Sequence, residues 1–303
     1  MCKDKIITSL KLNNKGRLGN QMFQIASIIG LAHKHNYKPY IPDWKYSKYF
    51  DYKFNFLKDN KIDFITVKEK YYKYHDWQLN KPKINIEGWL QSEKYFHNAN
   101  TIFKFNKPLL DSLKVKYNYF FNKKTVLIGV RRGDFVNHPY YHQVGFQYYL
   151  KALYKFFPNW EERNIIFTSD DIKYCKKHFS FLKNTFFMEG ISDIEQMALG
   201  TLCDDFIISN STFAWWTAWI GEKENSKVIV PNKNFRREFA KKNNDKDFFP
   251  DRWILFNEKE FGLGFKNFCP RIKSFFYNIN FDTKYFSKKY FYKFKQYVKK
   301  IIK

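Results

Sequence analysis

The sequence predicts an α/β protein built on a mostly parallel, doubly wound sheet, and three observations carry that expectation. From residue 123 onward, short apolar runs of strand length alternate with segments of helical period. Near the N-terminus an alternating run, 5–12, enters a glycine-bearing turn and then a helical pattern. Polar clusters fall at the C-terminal ends of the expected strands, where open α/β sheets bind ligands.

Each element follows from its residues. After 5–12, the residues Met22, Phe23, Ile25, Ala26, Ile29 and Ala32 keep one apolar helical face, and Pro39 and Pro42 close it. Residues 43–83 are aromatic and polar without clear period and read as irregular. Pro108 and the run Asn122-Lys123-Lys124 place a boundary near 107–123. That boundary divides the chain into an N-terminal α/β unit, 1–122, and a C-terminal Rossmann-like unit, 123–262. In the second unit, strands are expected at 125–130, 164–168, 206–209 and 227–230. Helices are expected at 144–157, 172–179, 193–202 and 213–220.

Composition narrows the classes. The chain has 303 residues, 44% of them hydrophobic, which argues against a disordered chain. Fifty-four basic against twenty-nine acidic residues give a net charge of +25, which suits a polyanionic partner. Nucleic acid, an anionic membrane surface and a phosphorylated substrate all qualify, but no nucleic-acid-binding motif is present, so nucleic acid is not expected. Cys2, Cys175, Cys203 and Cys269 lie far apart without metal-ligand spacing, and reduced thiols with no bound metal are expected. A signal-peptide apolar region and a membrane-length apolar run are both lacking, so a cytoplasmic location is expected.

The tail, 263–303, is basic and aromatic; its last stretch, 284–303, has eight lysines and no acid. Phe286, Tyr290, Phe294, Val298 and Ile302 recur there at helical spacing. A helix docked on the body with a solvated lysine face is one reading. A basic amphipathic helix in peripheral contact with an anionic membrane is the other.

Three clusters carry chemistry. The first is Arg131-Arg132-Gly133-Asp134 at the end of the 125–130 strand. Arginine's planar fork suits bidentate contact with a diphosphate, and Asp134 would orient an arginine or act as a base. A plain strand-end turn with a surface Arg–Asp pair is the alternative. The second runs from Ser209 through Asn210, Ser211 and Thr212 to Phe213, where a strand hands over to a helix. Amides and hydroxyls there suit an anion, and simple N-capping is the competing reading. Trp215, Trp216 and Trp219 read first as helix core, with a sugar-stacking platform as the alternative. The third, Gly16-Arg17-Leu18-Gly19-Asn20-Gln21, sits like a phosphate loop but lacks the GxGxxG and Walker spacings. Asp170 and Asp171 follow another strand and would hold ribose or base hydroxyls, or cap the next helix.

These clusters combine into a resemblance. GRLGNQMFQ at 16–24, GWLQSEKYF at 88–96, RRGDF at 131–135, TSDDIKYCK at 168–176 and ISNSTFAWWTAWIG at 208–221 are similar, in this order, to motifs of the α-1,2-fucosyltransferase family, glycosyltransferase family 11. The resemblance implies a GT-B-like enzyme, with two Rossmann-type domains facing a cleft. Residues 1–122 would form the acceptor side and 123–262 would bind the donor. It implies inverting transfer of L-fucose from GDP-β-L-fucose to a galactose-terminated glycan, forming an α-1,2 link without cofactor or catalytic metal. Arg131 and Arg132 then face the donor diphosphate. Gly19, Asn20, Gln21, Asp170, Asp171, Ser209, Asn210, Ser211, Thr212 and Phe213 surround the donor, while Gln91, Glu93 and His138 lie toward the acceptor or cleft. Asp134 joins Arg131 as the catalytic pair, although Glu93, His138 and His142 also remain open as general bases. The family pattern is usually His-x-Arg-Arg-Gly-Asp, and here Gly129 stands at the His position.

Overall fold

The computed structural model describes residues 5–58, 62–96 and 99–262. Two parallel sheets organise them. The first takes β1 (Ile6–Thr8), β2 (Lys38–Pro39), β3 (Ile65–Lys68) and β4 (Lys83–Glu87) in the order β2-β1-β4-β3. The second takes β5 (Thr125–Val130), β6 (Asn164–Ser169), β7 (Thr185–Phe187), β8 (Asp205–Ile208), β9 (Val228–Pro231) and β10 (Ile254–Phe256) in the order β10-β9-β8-β5-β6-β7. The helices are α1 (Leu18–His35), α2 (Ala99–Ile102), α3 (Lys107–Lys116), α4 (Phe146–Phe156), α5 (Ile172–Phe179), α6 (Asp193–Gly200), α7 (Thr212–Gly221) and α8 (Arg237–Lys242). Strand direction is uniform because every connection crosses over rather than turning back.

In the larger sheet the chain runs outward one way through β5, β6 and β7, and the other way through β8, β9 and β10. The gap beside the β5–β8 pair is therefore the topological switch point, where ligands of such sheets sit. All six residues of β5 are buried, as a central parallel strand covered on both faces requires. Tyr148 and Tyr149 of α4 and Phe179 of α5 cover one face of this sheet. On the other face, α7 packs against α1 of the first sheet. Phe23 lies 4.5 Å from Trp215 and 5.0 Å from Trp216 by ring centroids, and Phe96 stacks on Trp216 at 5.3 Å. One continuous core thus joins the two sheets.

A polar clasp reinforces the join. Arg252 pairs with Glu93 at 2.7 Å and with Glu222, while Glu93 also accepts from the Trp219 indole at 2.9 Å. Asp247 holds Lys94 at 2.5 Å and the Tyr74 amide at 3.0 Å.

Several local expectations change. The 5–12 strand stops at Thr8, because the chain turns at Ser9–Leu12 through an amide–carbonyl bond of 3.2 Å. The first helix begins at Leu18, so residues 18–21 of the glycine cluster form its first turn and only Gly16 and Arg17 precede it. Residues 43–83 contain β3, which the lysine-interrupted pattern conceals. Trp215, Trp216 and Trp219 are buried core, which removes the sugar platform there. Cys175 and Cys203 are buried free thiols. The tail expectation falls on residues 263–303, which lie outside the described residues. Among the described residues, no helix is long and apolar enough to cross a membrane.

Candidate functional site

A cavity of about 430 Å³ lies between the two sheets, at the C-terminal ends of β5, β6 and β8. Two helices aim their N-termini into it. A Cβ on Gly19 would stand 2.5 Å from the Thr212 carbonyl carbon and 2.6 Å from the Phe213 nitrogen, so glycine alone lets the ends of α1 and α7 meet. Neither N-cap, Arg17 or Ser211, makes a side-chain capping bond. The first-turn amides and the positive ends of both helix dipoles therefore face one shared space.

Arg131 closes that space from the β5 side. Its guanidinium pairs with Asp170 at 2.9 Å and with Asp134, and it rests 5.2 Å from the Phe135 ring centroid. Its Nε is buried and has no hydrogen-bond partner among the described residues. Asp170 also accepts from the Arg132 amide at 2.8 Å, so one carboxylate fixes both the strand end and the arginine fork. Gly19, Asn20, Gln91, Arg131, Asp134, Asp170, Ser209, Asn210, Ser211, Thr212 and Phe213 all line the cavity. Gln91 donates to the Asn20 side chain at 2.8 Å across it.

Other expected residues lie elsewhere. Arg132 is fully buried and stacks over Tyr174 at 4.2 Å, because successive side chains on an extended segment point opposite ways. Asp171 caps α5, accepting from the Tyr174 amide at 3.0 Å. Gln21 turns inward and accepts from the Trp44 indole at 2.9 Å. Glu93 belongs to the clasp with Arg252, away from the cavity lining. His138 sits beside the lining, its ring 4.5 Å from that of Tyr141.

The structure also brings in residues that the sequence reading passed over. Arg17 and Trp89 lie in quoted motifs yet were not singled out, and both line the cavity. Arg17 is exposed and makes no ion pair with a described residue. Tyr141, Asp193 and Asn234 also line it, with no local pattern to mark them. Asn234 and the His142 carbonyl hold the Asn210 amide nitrogen at 2.7 and 3.0 Å, leaving Asn210 Oδ1 buried without a partner among the described residues. Gly129 forms part of the floor, and a Cβ there would lie 2.9 Å from the Ala214 methyl. An imidazole at this position would require Ala214 to give way.

Electrostatics reflect partial burial. Desolvation raises the Glu69 carboxyl above its ordinary value, opposed by bonds from the Trp89 and Leu90 amides at 2.7 and 3.1 Å. Burial likewise pushes the Tyr141 phenol up and the His138 and His142 imidazoles down. His138 Nδ1 accepts from the Tyr140 amide at 3.2 Å, which assigns the proton of the neutral ring to Nε2. Among the described residues no group of three or more His, Cys, Asp or Glu is placed to hold a metal.

Comparison with known proteins gives consistent likenesses. The family model for glycosyl transferase family 11 matches residues 2–257. The O-antigen biosynthesis glycosyltransferase WbnK of Escherichia coli is 29% identical over 220 residues, covering 64% of this chain and 70% of that protein. The alpha-1,2-colitosyltransferase of Escherichia coli is 27% identical over 185 residues, covering 57% and 63%. The NodZ alpha-1,6-fucosyltransferase of Bradyrhizobium, co-crystallised with GDP, superimposes with a TM-score of 0.50 at 14% identity, covering 72% of this chain and 93% of NodZ. That likeness identifies the fold as GT-B-like.

Proposed function

Because the chain belongs to glycosyl transferase family 11, we propose that it transfers L-fucose from GDP-β-L-fucose to the 2-hydroxyl of a β-galactoside, inverting the anomeric centre. The observation that carries this reading is the convergence of Arg131 with the uncapped N-termini of α1 and α7 in one cavity. Such a set of donors suits a diphosphate, whose charge grows as it leaves. Arg131 Nε, buried without a partner among the described residues, would gain one from that anion, while Arg17 would add a second cation at the rim. Residues of the first unit, Trp89 and Gln91, would meet the acceptor.

Asp134 is the proton acceptor in this reading. It lines the cavity, its side chain is 55% exposed, and it stands next to Arg131, so it reaches both solvent and the diphosphate end. The acceptor hydroxyl attacks the anomeric carbon as the C–O bond to the β-phosphate breaks, and its proton passes to the Asp134 carboxylate. Leaving-group charge is met by arginine and amide donors, so the transfer needs no catalytic metal.

A second reading follows from the alpha-1,2-colitosyltransferase relative: the same diphosphate site would transfer colitose, carried on the same nucleotide, in place of fucose. Turnover of each donor against a panel of β-galactosides, with linkage analysis and with EDTA present, tests both. An α-1,2-fucosylated product formed in EDTA is the expected result. Colitosyl transfer alone selects the second reading, and failure to bind GDP rejects both.

A further inference from the structure

Beyond the cavity, aromatic rings continue outward in a connected shelf that the proposed chemistry at the diphosphate does not use. Phe135 and Tyr141 lie parallel at 4.3 Å and 3°, and Tyr141 lines the cavity. Tyr141 bridges in antiparallel fashion to Phe235, so the loop after β5 is paired with the loop after β9. On the outside, Tyr140 stacks on Phe239 at 4.5 Å and 20°, while 48% of it stays exposed. Phe239 thus covers one side of the Tyr140 ring, and close to half of the residue stays exposed.

The shelf is held rigidly. The Arg236 amide donates to the Tyr140 carbonyl at 2.8 Å, and the Arg236 guanidinium donates to the His138 carbonyl at 2.6 Å. Tyr72, from the first unit, packs edge-on against Phe235 at 4.8 Å and reaches Phe239 at 6.1 Å. Burial and the nearby Tyr141 and Glu69 push the Tyr72 phenol well up, so it stays a neutral donor. Glu69 in turn accepts from the amide of Trp89, which lines the cavity.

We propose that the exposed part of the Tyr140 ring, backed by Phe239 and continuing through Tyr141 into the cavity, is a platform for the acceptor sugar. This assignment rests on the glycosyltransferase reading above and specifies where its second substrate lies. A pyranose has one face of C–H bonds, which packs on the electron-rich face of an aromatic ring, and a rim of hydroxyls that seeks polar partners. Both kinds of partner are present. The ring of Tyr140 offers the flat face, and His138 stands edge-on to it at 5.4 Å with Nε2–H not spent on the Tyr140 amide. Asp134 lies where the shelf meets the cavity, three positions from Arg131 and next to Phe135, so a sugar on the platform would point a hydroxyl toward the proton acceptor. An acyl chain would instead demand an enclosed apolar groove, and an acidic peptide would demand cations in place of stacked rings.

The platform makes the acceptor side separable from the donor side, because Tyr140 does not line the cavity. Binding is measured with GDP by calorimetry and with lactose and methyl β-D-galactoside by saturation-transfer NMR in the presence of GDP. Tyr140→Ala is expected to keep the wild-type GDP affinity, to weaken galactoside binding at least tenfold and to raise the acceptor KM by a similar factor. Tyr140→Trp, which restores a flat face, is expected to recover most of it. Galactoside binding within twofold of wild type in a Tyr140→Ala protein that binds GDP normally would overturn the platform, as would failure of every galactoside to bind the wild type. Absence of GDP binding by the wild type would instead strike the donor reading, and the acceptor assignment would go with it.

Discussion

At the scale of single residues, the adjacent arginines divide into opposite roles. Arg131 is held between Asp134 and Asp170 at the cavity wall, whereas Arg132 is fully buried over Tyr174. If Arg131 clamps a leaving diphosphate, a lysine cannot reproduce its forked geometry. Arg131→Lys should then lose about 2–4 kcal/mol of transition-state stabilisation with little change in Tm, as read by kcat/KM and thermal melting. Arg132→Lys should show the reverse: near-normal kcat/KM in the folded fraction, but a stability loss of about 1–3 kcal/mol from lost stacking and burial. Equal losses of turnover in both variants would contradict the division. Adjacent letters could not reveal it, because which arginine faces the ligand depends on the pleat at the end of β5.

At the scale of elements, the decisive contact is between the first turns of α1 and α7. Gly19→Ala would drive a methyl group into the Thr212–Phe213 backbone, where no side chain can swing aside. The expected result is a lower Tm, by the equivalent of about 1–3 kcal/mol, together with weaker GDP binding because the two anion-facing ends part. Calorimetry and melting on the same preparation check both; unchanged GDP affinity would show that the helix ends do not act together. Elements of this kind were legible where they were long or wholly apolar. The runs at β5, β6 and α7 announce themselves because a covered parallel strand or buried helix needs uninterrupted apolar residues. β2, β7 and β10 have two or three residues each, too few for a period, and β3 carries Thr66 and Lys68 on a mostly exposed edge. The glycine cluster was visible as a turn. Its true role, as the contact that brings two helices to one point, depends on a partner nearly two hundred residues away.

At the scale of the whole molecule, the cleft has a fixed back wall. Glu93 and Glu222 converge on Arg252, and removing that cation leaves two carboxylates facing each other beside the Trp219 and Trp253 indoles. Arg252 is about half exposed, which limits its worth, so Arg252→Ala should cost about 1–2 kcal/mol by urea melts, with GDP affinity retained. A loss of GDP binding without loss of stability would mean that the clasp governs the cleft itself. Glu93 illustrates how a motif residue can be recognised and misplaced. Its motif was readable, but its partner Arg252 lies far along the chain in a stretch without any signal.

The continuous core through Phe23, Phe96, Trp215 and Trp216 bears on how such proteins can be recombined. A hybrid chain would join the first unit of one parent to the second unit of another. Here a splice near residue 122 would cut through a single packed interior, leaving α1 of one parent to fit the tryptophans of the other. A viable hybrid would have to carry α1, the 88–96 segment and α7 from the same parent, whatever the origin of the loops that choose the sugar.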